Sequence, residues 1–137
     1  MTLIDDAATY LAAQSSKLTV LSGTAGNMVK GGLVDAPDTI VALIETGGSP
    51  PLHAFSTGGK TTRVAERPSM QVLCRSTSYV VARDYAQIVF GLLDGHAGVM
   101  KTGGQWWGVS ALQSPFDIGQ DRNTRHLVSC NYAAETL

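Results

Sequence analysis

Asp35 to Arg75 reads DAPDTIVALIETGGSPPLHAFSTGGKTTRVAERPSMQVLCR. Thr39 to Glu45 is a run of β-branched and apolar residues with little alternation. That is the pattern of a strand covered on both faces, or of one lying in a subunit contact. Met70 to Arg75 alternates instead. Met70, Val72 and Cys74 fall on one face, and Gln71, Leu73 and Arg75 on the other. Between the two segments stand Gly47-Gly48, Pro50-Pro51, Gly58-Gly59 and Pro68, all turn or breaker residues. This predicts a loop over residues 46–68. A loop longer than roughly 15 residues inside a compact domain is functional, mobile or an arm to a neighbour.

Upstream, Ala36-Pro37-Asp38 makes a turn, because proline fixes one dihedral and removes a donor. A short strand is expected over Asn27 to Gly31. Residues 16–25 have no clear period and are broken by Gly23. Residues 2–15 read as a helix with an apolar stripe of Leu3 or Ile4, Ala7, Ala8 and Leu11. Thr2 is its expected cap, and Asp5 and Asp6 suit the positive N-terminal end.

Downstream, Tyr79 to Leu93 is the strongest helix. Ala82, Tyr85, Ala86, Val89, Leu92 and Leu93 recur at spacings of three and four. Asp94-Gly95 stops it, since glycine takes the left-handed conformation favoured there. Val99 to Thr102 and Gln105 to Leu112 flank Gly103-Gly104, a two-residue hairpin turn. Ser114-Pro115-Phe116 interrupts. Arg125 to Tyr132 alternates, with His126, Val128, Cys130 and Tyr132 on one face. The expected fold class is α+β, a mostly antiparallel sheet with two packed helices in the order α-β-β-β-α-β-β-β. At 137 residues the chain is one domain, 1–137.

Hydrophobic residues make up 44% of the chain, enough for a real core, and charged residues only 15%. Few charges leave much neutral surface to hide, as in a subunit of an assembly. The formal net charge of -1 gives no general pull towards nucleic acid. No basic leader precedes an apolar stretch, and no apolar run approaches the roughly 20 residues that span a membrane. A soluble protein made in the cytosol is expected. Cys74 and Cys130, in apolar strand contexts, read as buried free thiols.

Gly59-Lys60-Thr61 imitates the end of a phosphate-binding P-loop. A P-loop also needs a glycine where Ala54 stands, a preceding strand where Pro50-Pro51 stand, and a helix immediately after. A loop tip is therefore the better reading, and no cofactor is expected. The three histidines, His53, His96 and His126, lack ligand spacing for zinc. Cys130 and His126 lie about 13 Å apart along one strand, too far to share a metal. Asp117, Asp121 and Asn123 share a turn without the calcium-loop pattern. No Ser elbow or acid/base pair marks an enzyme.

Trp106 and Trp107 point to opposite faces of their strand. Trp107, with Val109 and Ala111, belongs to the core. Trp106 shares a face with Gly108 and Ser110 and is either covered within the chain or part of a subunit contact. Lys60, Arg63 and Arg67 form one cation group, Arg122 and Arg125 another. Each is solvated loop charge, a set of inter-subunit pairs, or the lining of a DNA passage.

Taken together, these motifs resemble a known family. They are the Leu-Ile-Asp-Asp helix, Asp35-Ala-Pro-Asp38, Val41 to Gly48 followed by Pro50-Pro51, Glu66-Arg67-Pro68 with Gln71-Val72, Ser114 to Gly119, and a last strand with Ser129 and Asn131. The set is similar to the small "minor capsid" proteins of siphophages, a group that looks like the tail terminator, or tail-completion, family. The resemblance implies a structural virion protein at the tail–head junction, assembled in the host cytoplasm. It implies a homo-oligomer, a hexameric ring, that caps the tail tube protein, stops its polymerisation and meets the head–tail connector proteins. DNA would pass passively through the lumen, and no membrane is involved. A head–tail neck adaptor without a length-stop role is the alternative. The expected contact residues to a neighbour or the tube are Glu45, Pro50, Pro51, Phe55, Glu66, Arg67 and Trp106. The expected lumen or loop cations are Lys60, Arg63, Arg122 and Arg125.

Overall fold

The computed structural model describes residues 3–23, 25–55, 61–99 and 105–136. Helix α1 spans Leu3–Gln14, followed by strands β1 (Met28–Lys30), β2 (Ile40–Phe55) and β3 (Thr61–Ser76). Helix α2 spans Tyr79–Leu93, followed by β4 (His96–Val99), β5 (Gln105–Ala111), β6 (Phe116–Gln120) and β7 (His126–Thr136). The sheet runs β1-β2-β3-β7-β5-β4, with β6 also paired to β7. Every pairing is antiparallel except β1 with β2. The α+β class holds.

Both helices pack on one face of the sheet. α1 buries Leu3, Ala7, Ala8 and Leu11, and α2 buries Ala82, Ala86, Val89 and Leu93, the stripes their spacing predicts. They meet Val41, Leu43, Met70, Val72, Cys74, Val109, Val128, Cys130 and Tyr132 from the sheet. Each large apolar side chain so buried stabilises the fold by about 1.5–3 kcal/mol. Ser78 caps α2 by accepting from the Val81 N–H, and Gly95 beyond its end has φ +76°. The Lys30 ammonium pairs with Asp5 at 2.9 Å, joining β1 to α1 at the surface.

The stretch from Ile40 to Leu43 is fully buried, as its unbroken apolar run requires. β1 lies along one edge of it and β3 along the other.

The expected loop over 46–68 is where expectation and structure part. Residues 46–55 and 61–68 are strand, the far halves of β2 and β3. Pairing continues through Gly48 with Pro68, Ser49 with Arg67, Leu52 with Ala65, and out to Phe55 with Thr61. The glycines and prolines sit at shifts of register, between Thr46 and Gly48 and between Ser49 and Leu52, with a third between Leu52 and His53. A bulge accommodates what a regular ladder rejects. Proline is tolerated where the strand's other edge needs no donor, and β2 meets β1 only at Val41 to Leu43.

Two smaller corrections apply. The strand expected over 99–102 starts earlier, as β4. The Phe116 region, expected to interrupt the sheet, contributes β6. The Thr2 cap and the Gly103-Gly104 turn lie outside the described residues.

Candidate functional site

Beyond the pair of Ser49 and Arg67, β2 and β3 pair with each other and with no third described strand except where Glu66 meets Thr136. The far half of the hairpin is a two-stranded arm. The six steps from Ser49 to Phe55 at about 3.3 Å each carry it roughly 20 Å from its root.

The root is tied by three features. Arg67 donates from Nε and Nη2 to the Pro50 carbonyl at 2.9 and 2.8 Å. Thr46 Oγ1 and Ser69 Oγ lie 2.7 Å apart across the strands. Gly48 adopts φ +117°, and a Cβ there would stand 2.5 Å from the Arg67 carbonyl oxygen. Glu45, Pro50 and Pro51 are exposed, and Glu66 and Arg67 half-buried.

A trough of about 570 Å³ opens beside this root. Ser69 pairs with Ala133, and Ala133 with Ser110, so the three form a row across β3, β7 and β5. Their chain neighbours Met70, Tyr132 and Val109 belong to the core, so the row lies on the face away from the helices. Gly48, Ser49 and Arg67 wall one side; Gly108, Leu112 and Glu135 line the other. Leu112 is 62% exposed, as are Phe116 and Ile118 in part at 43% and 46%.

The opposite end of the sheet is closed by two buried arginines. Arg75 donates to the carbonyls of Asp35, Pro37 and Asp38, at 3.2, 2.7 and 3.2 Å. Arg125 donates from Nε to Asp121 Oδ2 at 2.7 Å and from Nη1 to the same Asp35 carbonyl at 2.7 Å. Its ion pairs also reach Asp38 at 3.3 Å and Asp35 at 3.5 Å. Burial, and then the Arg125 charge, push the Arg75 pKa down. Burial also works to lower that of Arg125, but the bonds to Asp121 and Asp38 outweigh it and the net shift is upward. The Arg125 backbone N–H holds the Asp121 carboxyl below its usual range, against the opposing effect of burial, with the guanidinium adding to the same end.

These positions sort the expected site residues. Glu45, Pro50, Pro51, Glu66 and Arg67 gather at or near the arm root. Phe55 ends β2 opposite Thr61, and Arg63 stands in register with His53 on the arm. Lys60 lies outside the described residues, as do the side chains of Trp106 and Trp107. The Trp106 backbone pairs with Thr136 at the edge of the trough. Arg122 is exposed. Arg125 departs from expectation: it is 6% exposed and held by carboxylates of its own chain, so it is no solvated loop cation.

Thr61 opens a strand rather than a helix, which removes the remaining support for a P-loop at Lys60. Cys74 and Cys130 are free and buried. Burial, with Cys130 beside it, pushes the Cys74 thiol up to about 12. Among the described residues no group of three His, Cys, Asp or Glu converges as a metal site, and no helix is long and apolar enough to cross a membrane.

The sequence profile described as bacteriophage tail terminator protein matches residues 14–137. The chain belongs to that family. It is a structural protein of the phage tail and a component of the virion. No curated protein matches the chain. Among solved structures, a chain from the virion of a native gene transfer agent particle is similar in fold, with a TM-score of 0.52 and 14% identity. The match covers 78% of this chain and 76% of that one.

Proposed function

We propose that this protein closes the phage tail tube as a ring of identical copies, hexameric by the resemblance, ending tube polymerisation and presenting a platform to the head–tail connector proteins. The match to the tail terminator family over residues 14–137 carries this reading. The arm supports it. A paired hairpin that leaves the body of its own sheet gains partners when copies meet head to tail, and such contacts close into rings. Glu45, Pro50, Pro51, Phe55, Glu66, Arg67 and Trp106 are the proposed contact residues to a neighbour or the tube. Lys60, Arg63 and Arg122 are the proposed cations towards a lumen through which DNA passes without sequence reading.

Tail length tests the reading. Phage lacking this protein should make overlong tails. Tails of normal length that fail to join heads would overturn the length-stop role in favour of a neck adaptor. Light scattering of the purified protein, alone and with tube protein, should give a ring; a monomer in both conditions would remove it.

A further inference from the structure

Residues 31–39, between β1 and β2, form no helix or strand. The Gly31 N–H still donates to the Leu43 carbonyl. From Gly32 to Asp38, among the described residues, no main-chain hydrogen bond joins the segment to another stretch of backbone. Two guanidiniums hold it instead. Arg75 takes the carbonyls of Asp35, Pro37 and Asp38. Arg125 takes that of Asp35 and reaches the Asp35 and Asp38 carboxylates. The Thr39 and Ser76 hydroxyls, 3.1 Å apart, fix the end that enters β2. At the other end Gly31 has φ +99°, and no atom stands within 4 Å of the Cβ position of Gly31 or Gly32, so the chain has room to turn there. Arg75 is in register with Ile40 and Leu127, on the face away from the helices. The segment thus crosses that face as a strap, and Ile40 and Ala42 on the same face are fully buried.

The tie is made of charge. Both guanidiniums are buried, and the Arg125 charge bears on Arg75. Arg75 bonds carbonyls only, so its countercharge is the set that also serves Arg125. That set is Asp35 and Asp38 on the strap and Asp121 on the turn between β6 and β7. Arg122 in that turn is exposed, and His126 is turned to Tyr79 and Gln120. A guanidinium does not give up its proton. Once acid neutralises the three carboxylates, two like charges remain buried together without a counter-ion, which is strongly unfavourable. Water has to reach them, and the strap is the part around them that no backbone ladder holds. We infer that residues 32–38 are an acid-released strap, which swings off the sheet about Gly31 and Gly32 when these carboxylates lose their charge, while the sheet stays paired. Its opening brings water to Ile40 and to the two guanidiniums. The device does not depend on the ring reading above.

Backbone amide relaxation of the full chain, read by NMR at about pH 6 and about pH 3, tests it. At the higher pH the strap amides should be as rigid as those of Val72 and Cys74, with order parameters of about 0.85. At the lower pH the strap should fall below about 0.6, while Val72 and Cys74 keep their value. A chain carrying Asp35→Asn, Asp38→Asn and Asp121→Asn should have a loose strap at both. A wild-type strap that stays rigid in acid on a paired sheet would overturn the inference. A strap already loose at the higher pH would do the same, since the arginines would then not be holding it. Strap and sheet lost together would make the change global unfolding and overturn local release. A folded triple variant whose strap is as rigid as wild type would show that the carboxylates do not hold it. Should the triple variant fail to fold, the wild-type comparison decides alone.

Discussion

Gly48 sets the geometry of the arm root through one torsion. At φ +117°, with the Arg67 carbonyl 2.5 Å from where a Cβ would stand, alanine meets strain and backbone at once. Gly48→Ala should cost about 2 kcal/mol. Gly47 has no atom within 4 Å of its own Cβ position, and Gly47→Ala should be close to neutral. Thermal melts of the two variants give the comparison. Asp121 is the second residue with a sharp consequence. Its carboxyl is held below the usual range in the folded chain, so the fold binds that proton more weakly than the unfolded chain does. The stabilisation is complete above about pH 4 and is lost as pH falls through the folded value. Asp121→Asn should lower the melting temperature at pH 7 and narrow its gap to wild type towards pH 3. The Met70, Val72 and Cys74 alternation was legible because side-chain direction in a strand is local. The burial of Arg125 was not, because its partners Asp35 and Asp38 lie 90 and 87 positions away.

Among elements, the β2–β3 hairpin separates what composition reveals from what pairing decides. Gly47, Gly48, Pro50, Pro51 and Pro68 have real breaker tendencies, and each sits at a bulge or on an edge rather than in a loop. Propensity registers the local strain. It does not register that the partner strand shifts by a residue to absorb it. Hydrogen exchange should grade along the hairpin. Amides of Val72 and Cys74, in a strand flanked by β2 and β7, should exchange slowest. Those of Leu52 and His53 should exchange at least about a hundredfold faster, having one partner strand at most. Arg67→Ala should speed exchange at the arm root and leave Val72 unchanged. The buried stripes of the two helices were legible, because each follows its own 3.6-residue period, and Gly95 marked the end of α2, whereas its Ser78 cap went unread. The trough was half legible: Gly108 and Ser110 marked a thin surface on β5, but Ser69 and Ala133 join them only through pairing.

At the level of the molecule, one apolar layer between helices and sheet holds the structure. Leu93→Ala removes a fully buried side chain from it and should cost about 3 kcal/mol, read by denaturant unfolding. Cys74 lies in the same layer with its thiol pushed up to about 12. Iodoacetamide at pH 8 should leave it unmodified in the folded protein and alkylate it in urea. The other sheet face has no helix over it among the described residues, and it is the face that carries the trough.

The order of synthesis adds a kinetic consequence to the sheet's layout. β7 pairs with β3 on one side and with both β5 and β6 on the other, and it is made after all of them. Until it arrives, β3 has a bare edge, β5 is paired only with β4, and β6 has no partner strand among the described residues. The slow event in folding is then the insertion of this late strand, a contact of long sequence separation. Substitutions at Val128 and Tyr132 should slow refolding, whereas substitutions in the arm should leave the refolding rate alone. The sheet is thus closed last along its middle, where β7 joins β3 to β5.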